Sequence, residues 1–296
     1  MMRRFASING RIADAASLRV SFWDMSFQRG DGVFEAVRVR ADGRPRSLSR
    51  HLDRLERSAR AVRLPLPPRK ELEGWIREAA SSGGEGYVRL IATRGGGMPG
   101  YGDHLEDLDA PPTVFTAWQP LPPLRDRPRA LLPLTAPWHP AGFDAKWETV
   151  KWLSYGPNVH ATRLAREEGY DDALLLARDE APLLDRIVLD GPNFTIAWRR
   201  DDMLCVPDWR SLGMLESITS TLLVLAAREA GIEVEEGRFS LRDVVDHARE
   251  MWILSTTTDL APVSRIGEFR ELPRLGNSAS WRPRLLAAME DRDGDE

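Results

Sequence analysis

Of the 41 basic residues in this 296-residue chain, only three are lysines: Lys70, Lys146 and Lys151. Where arginine supplies nearly all the positive charge, a retained lysine is a candidate for work that needs an amine. Guanidinium stays protonated, whereas a desolvated ε-amine can lose its proton and form a Schiff base with a carbonyl. Lys151 has the most suggestive surroundings. It follows a Pro- and Trp-rich loop, and the apolar pattern of a helix running to about Glu168 opens at it. A lysine laying its stem along a helix face would look the same from residue type alone.

Other positions could carry chemistry. Arg29-Gly30-Asp31-Gly32-Val33-Phe34-Glu35 is a tight glycine-rich approach that, alone, reads as a turn. His51 and Arg54 lie on or beside the apolar stripe Leu52, Leu55, Ala59, Val62. Ser217-Ile218-Thr219 stands at the start of a helical pattern, where unpaired N–H groups and the helix dipole favour an anion. Ser255-Thr256-Thr257-Thr258 follows an apolar strand and is either a polar turn or a set of ligand-facing hydroxyls.

Composition narrows the classes. A net charge of −4 with both signs interspersed, and no Lys/Arg block, argues against a nucleic-acid partner. The single cysteine, Cys205, excludes an internal disulfide and a Cys-rich metal site, and the five histidines show no metal-ligand spacing. No apolar run approaches the roughly 20 residues of a membrane span. The beginning, Met1-Met2-Arg3-Arg4, lacks the apolar core of a signal peptide, so a cytoplasmic protein is expected.

The elements that must position these residues read as two α+β domains. Asn9-Gly10 marks a hairpin tip, Phe34–Arg40 alternates as a strand, and helices are expected over 49–64 and 69–80. Strands follow at 86–94 and 111–117, with Gly95-Gly96-Gly97 breaking the first into a loop expected to move. The proline-rich stretch 119–125 is the linker candidate. Beyond it come strands at 129–135, 172–177, 187–189, 194–199 and 250–254, and helices at 151–168, 220–229 and 241–248. The division expected is a smaller domain, 1–120, and a larger one, 121–296, with residues 287–296 disordered.

Taken together, six motifs resemble the class IV, fold-type IV pyridoxal-phosphate aminotransferases, which include branched-chain and D-amino-acid aminotransferases and aminodeoxychorismate lyase. They are Gly30–Glu35, His51–Ala59, Lys151 with Ala165–Leu175, Asp190–Phe194, Leu215–Thr219 and Ser255–Thr258. The resemblance implies a two-domain architecture, a homodimer, and pyridoxal 5'-phosphate in the cleft between the domains. It also implies a transaminase acting on an amino acid, apolar or branched, with a 2-oxo acid acceptor, by a ping-pong reaction through a Lys151 Schiff base.

Residue roles follow from the same resemblance. Lys151 is the attachment point and the base; Arg54, the backbone of Ile218 and Thr219, and the Thr256 hydroxyl hold the cofactor phosphate; Tyr155 bonds the phenolic oxygen. Phe34, Arg38, Tyr87, Arg89 and Thr257 fall on substrate-lining positions. Arg29, where the family often has an aromatic residue, either receives a carboxylate or points to solvent.

Two departures matter. Asp190 stands where the family has a glutamate facing the pyridine nitrogen, and its reach is shorter by one methylene, about 1.5 Å. Asp185, five residues earlier, fits the strand register less well. The loop Gly96–Tyr101 contains no Arg-x-His, which counts against the D-specific enzymes. Open alternatives are D-amino-acid transamination, a lyase outcome, and a cofactor-binding homologue of low activity.

Overall fold

The computed structural model describes residues 5–95, 111–123, 127–139, 149–273 and 279–292. The chain divides into two units, 1–122 with 150–155, and 123–149 with 156–296. The second boundary was not foreseen: a six-residue segment containing Lys151 belongs with the first unit rather than with the residues that flank it.

The first unit begins with β1 (Phe5–Ile8) and β2 (Arg11–Asp14), joined at Asn9 and Gly10, both with positive φ as a type I′ turn requires. A single turn of helix, α1 (Met25–Arg29), is capped by the Asp24 carboxylate, which accepts from the Ser26 N–H at 2.8 Å. Then come β3 (Gly32–Val39), α2 (Leu48–Ala61), α3 (Arg69–Ser81), β4 (Gly86–Thr93) and β5 (Thr113–Pro120). The strands form a sheet in the order β2-β1-β5-β4-β3, with antiparallel pairing throughout.

Alternation along β3 sorts its side chains. Val33, Val37 and Val39 enter a core with Leu52, Leu55 and Ala59 of α2 and Leu72 and Ile76 of α3. Phe34, Ala36 and Arg38 take the other face, opposite Ile91, Arg89 and Tyr87 of β4. Gln119 and Pro120, expected in the linker, are the last residues of β5, and residues 124–126 lie outside the described residues.

The second unit carries β6 (Arg129–Thr135), α4 (Gly156–Glu167), β7 (Asp172–Leu176), β8 (Thr195–Arg200), β9 (Met203–Pro207), α5 (Ile218–Glu229), β10 (Glu233–Gly237), α6 (Leu241–His247), β11 (Glu250–Ser255), β12 (Asp259–Ile266), β13 (Arg270–Glu271) and α7 (Arg282–Arg292). Its sheet runs β10-β9-β8-β11-β12-β6-β7, with β13 beside β12.

Three expectations are corrected here. The helix expected to open at Lys151 begins at Gly156; Pro157 fits a first helical turn but would break a helix already running. Residues 187–189 form bridges to Leu176 and Ser240 rather than a strand paired with 194–199. The end expected to be disordered from 287 is helical through Arg292, because Leu285 and Met289, one turn apart, are buried in the core that α5 also fills. Residues 293–296 lie outside the described residues. Among the described residues no helix is long and apolar enough to cross a membrane.

Candidate active site

Lys151 sits in an extended segment that bridges β3 at Val33 and Trp152. Both of its backbone groups are held. Its N–H donates to Ser58 Oγ of α2 at 3.2 Å, and its carbonyl accepts from the Phe34 N–H at 3.1 Å. Leu153 N–H donates in turn to the Gly32 carbonyl at 3.0 Å.

The two glycines of the motif have a reason in this contact. A side chain on Gly30, at φ +72°, would collide with the Ser154 hydroxyl, and one on Gly32 would lie 2.7 Å from the Ala92 carbonyl oxygen and 2.5 Å from Leu153 Cδ1. They give the lysine segment room to lie against the sheet.

Four of the expected site residues come together on the face of this sheet that turns away from the α2–α3 core. Lys151 Nζ lies 4.5 Å from the centre of the Phe34 ring, and Arg89 Cζ lies 4.9 Å from the same centre. The Tyr155 ring meets Phe34 edge to face at 5.2 Å. Tyr87 donates to Gln119 Oε1 at 2.5 Å. Arg38 donates through Nη2 to Glu85 Oε1 at 2.7 Å. Arg29 is exposed at the end of α1, and its carbonyl accepts from the Ser154 hydroxyl.

Arg54 belongs to the opposite, buried face. Its Nε and Nη2 donate to Glu35 Oε1 and Oε2 at 2.7 and 2.8 Å, and His51 Nδ1 lies 2.7 Å from Oε2. His51 and Arg54 are three residues apart on one side of α2, in phase with Leu48, Leu52 and Leu55. Burial alone would raise the Glu35 carboxyl, but the Arg54 charge and the hydrogen bonds from Arg54 and His51 hold it well below the usual carboxylate range. Burial pushes the His51 imidazolium down. With Glu35 ionised and the ring neutral, Nδ1 carries the proton and donates.

Sequence reasoning quoted Glu35 and His51 but gave them no role. The signal was present: Glu35 falls in the inward phase of a strand otherwise occupied by valines.

In the second unit, Asp190 follows a segment paired to β7, where the Asp190 carbonyl accepts from the Leu175 N–H at 2.8 Å. Gly191 closes the turn to β8 by donating to the Phe194 carbonyl, and a side chain there would strike the Phe194 ring. His139 Nε2 stands 3.9 Å from Asp190 Oδ1, too far for a hydrogen bond. Burial lowers the His139 imidazolium to about 4. Asp185, the other candidate, is exposed and pairs with Arg242 Nε at 2.8 Å.

Ser217 caps α5 by accepting from the Ser220 N–H at 3.2 Å. That leaves the N–H groups of Ile218 and Thr219, the first two of the helix, without an acceptor among the described residues. Both residues are buried. Thr256 and Thr257 lie in the tight turn between β11 and β12, where Ser255 Oγ is 3.2 Å from Thr257 Oγ1 and 2.8 Å from Thr258 Oγ1. The loop at 96–101 lies outside the described residues. No group of three or more His, Cys, Asp or Glu among the described residues could hold a metal ion.

Each unit offers groups that suit pyridoxal phosphate: in the first, a primary amine beside an aromatic ring and a buried guanidinium on α2; in the second, two helix N-terminal N–H groups without an acceptor among the described residues. The fold is that of the fold-type IV transaminases. A pyridoxal-phosphate-bound structure of a hypothetical aminotransferase from Mycobacterium tuberculosis matches with a TM-score of 0.83 at 27% identity, covering 97% of this chain and 99% of that one.

The protein belongs to the class IV aminotransferases, whose family model matches residues 32–266, and it is pyridoxal-phosphate-dependent. It is 32% identical over 269 residues to a putative branched-chain-amino-acid aminotransferase of Methanocaldococcus jannaschii, covering 88% of this chain and 86% of that protein. It is 31% identical over 275 residues to a bifunctional aminodeoxychorismate lyase / D-amino acid transaminase of Mycobacterium tuberculosis, covering 85% and 86%.

Proposed function

We propose that this aminotransferase takes the amino group from an apolar, branched amino acid and passes it to a 2-oxo acid in two half-reactions. The observation that carries the reading is the Lys151 amine standing over Phe34 with its backbone tied on both sides. The archaeal relative, itself a putative branched-chain enzyme, supports the donor class.

Bound pyridoxal phosphate supplies an aldehyde for the amino group and a conjugated ring that accepts the electron pair left when Cα loses its proton. The chain's own residues do the rest. The Lys151 amine would be the covalent attachment point and, when free, the base that moves the proton from the donor's Cα to the cofactor's C4′. Arg54, the Ile218 and Thr219 N–H groups and the Thr256 hydroxyl neutralise and hold the phosphate. Tyr155 would donate to the phenolic oxygen, and Asp190 would pair with the pyridine nitrogen. Phe34 offers an apolar wall to the donor side chain, with Arg38, Tyr87 and Arg89 on the same sheet, and Thr257 is assigned to the substrate by the resemblance alone. Arg29, exposed, is left to solvent in this reading.

The test is a single half-reaction followed by absorbance on the purified holoenzyme, across L- and D-amino acids and simple amines. Branched L-amino acids are expected to convert the cofactor fastest, and borohydride is expected to fix it on the peptide containing Lys151. Preference for D-amino acids would replace the donor assignment with that of the mycobacterial relative. Label elsewhere than Lys151 would end the lysine assignment. Run beside it, Asp190→Glu is expected to convert faster, because the longer side chain restores the reach to the ring nitrogen; an equal rate removes any cost from the shorter one.

A further inference from the structure

The Arg54 guanidinium has one edge already engaged. Its Nε and Nη2 meet the two oxygens of Glu35, and the Glu35, Arg54 and His51 side chains are 1%, 7% and 4% exposed. A guanidinium presents five N–H donors in one plane. The side-on pair uses two of them and fixes that plane, so the Nη1 end points away from Glu35. His51, donating to Oε2 at 2.7 Å, keeps the carboxylate from rotating about its own axis.

Charge does not explain this arrangement. Glu35 cancels the positive charge of the residue that would face an anion, and its own side chain stands among valines on the face packed against α2. An apolar side chain of similar volume would fill that place without desolvating a carboxylate. What the pair supplies is direction.

Building on the reading that Arg54 holds the cofactor phosphate, we infer that Glu35, itself oriented by His51, is the positioning residue that aims the Arg54 guanidinium so that its end-on edge meets the phosphate. Glu35 touches neither cofactor nor substrate in this assignment. It acts through Arg54, and its effect should therefore depend on the phosphate group and vanish when Arg54 is absent.

That dependence can be read from binding alone. The apo-protein, prepared from the full-length holoenzyme with hydroxylamine, is titrated by absorbance with pyridoxal phosphate and, separately, with pyridoxal, which lacks the phosphate. In Glu35→Gln the amide NH2 opposes a donor of either Arg54 or His51, so the guanidinium loses its alignment. Affinity for pyridoxal phosphate is expected to fall by about tenfold or more, as losing a supporting partner beside a binding group does, with pyridoxal unchanged. Arg54→Met should cut the preference for the phosphorylated form sharply, leaving only the part that the Ile218 and Thr219 N–H groups and Thr256 supply, and adding Glu35→Gln to it should lower that preference no further.

Equal weakening of both ligands by Glu35→Gln, or an additive loss in the double variant, overturns the positioning role. If Glu35→Gln does not fold, Glu35→Asp takes its place, since it keeps the charge and withdraws it by one methylene, and the same readings decide. A different pattern, in which Arg54→Met keeps the wild-type preference for the phosphorylated form, overturns the phosphate assignment of Arg54, and the Glu35 role falls with it.

Discussion

Glu35, His51 and His139 are all held in one protonation state by burial or by partners, and all three respond to acid in the same direction. His139 has an ordinary value of 6.5 lowered to about 4, and His51 is lowered too. A histidine kept neutral in the folded state contributes fully above the unfolded value and loses ground as pH falls, because the unfolded chain takes up a proton that the folded chain refuses. Glu35, depressed in the fold, contributes above about pH 4.5 and is lost as pH falls further. Stability measured by denaturant titration should therefore be flat above pH 7 and decline from 6.5 toward 4. For His139 the whole contribution is about 3 kcal/mol, at roughly 1.4 kcal/mol per unit. His139→Gln should make that decline visibly shallower; an unchanged slope would show that the imidazole titrates normally.

At the level of elements, the lysine segment is fitted to β3 by glycines, so side chains added there have opposite effects from those added on an open helix. Gly32→Ala brings a carbon to 2.7 Å from the Ala92 carbonyl, which is backbone and cannot turn aside. A loss of about 1–3 kcal/mol is expected, the usual cost of overpacking, with poorer cofactor attachment at Lys151. Gly74 in α3 meets nothing within 4 Å, and Gly74→Ala should stabilise by about 0.5–1 kcal/mol through helix propensity. Thermal melts of the two variants decide the matter, and a neutral Gly32→Ala would mean that the segment does not lie tightly against β3.

The same elements show what the sequence could and could not disclose. Lysine scarcity singled out Lys151, and the stripes on α2 and α3 were plain in their apolar spacing. The local form around Lys151 is not legible in apolar periodicity, which runs on through Gly156-Pro157, although that pair marks the helix's beginning rather than its middle. β10, Glu-Val-Glu-Glu-Gly at a sheet edge, has no apolar alternation to announce it, and β12 carries Pro262 within it. α7 is hidden by its charges, since Leu285 and Met289 are its fully buried positions among the described residues. The Glu35 pairing depends on the register between a strand and a helix 16 residues apart, which no local pattern encodes.

For the whole molecule, Phe22, Trp23 and Phe27 form an exposed aromatic group, at 63%, 44% and 67% exposure, with Phe22 edge-on to both neighbours. Apolar groups of this kind on a protein surface mark association sites. Together with the dimer implied by the resemblance, this leads us to expect light scattering to report twice the chain's mass, and Phe27→Asp to lower it. A monomeric wild type would overturn that expectation.

The unit that holds Glu35, Arg54 and Ser58 is not contiguous in the chain: it is left at residue 122 and rejoined for six residues at 150–155. Its sheet and both helices can form as soon as the first 122 residues emerge during synthesis, when N-terminal parts fold first. The segment carrying Lys151, the proposed attachment point, is made only afterwards. On the proposed roles, a truncated product ending at 122 would carry the Glu35–Arg54 pair without Lys151, and should show no borohydride-fixable pyridoxal phosphate.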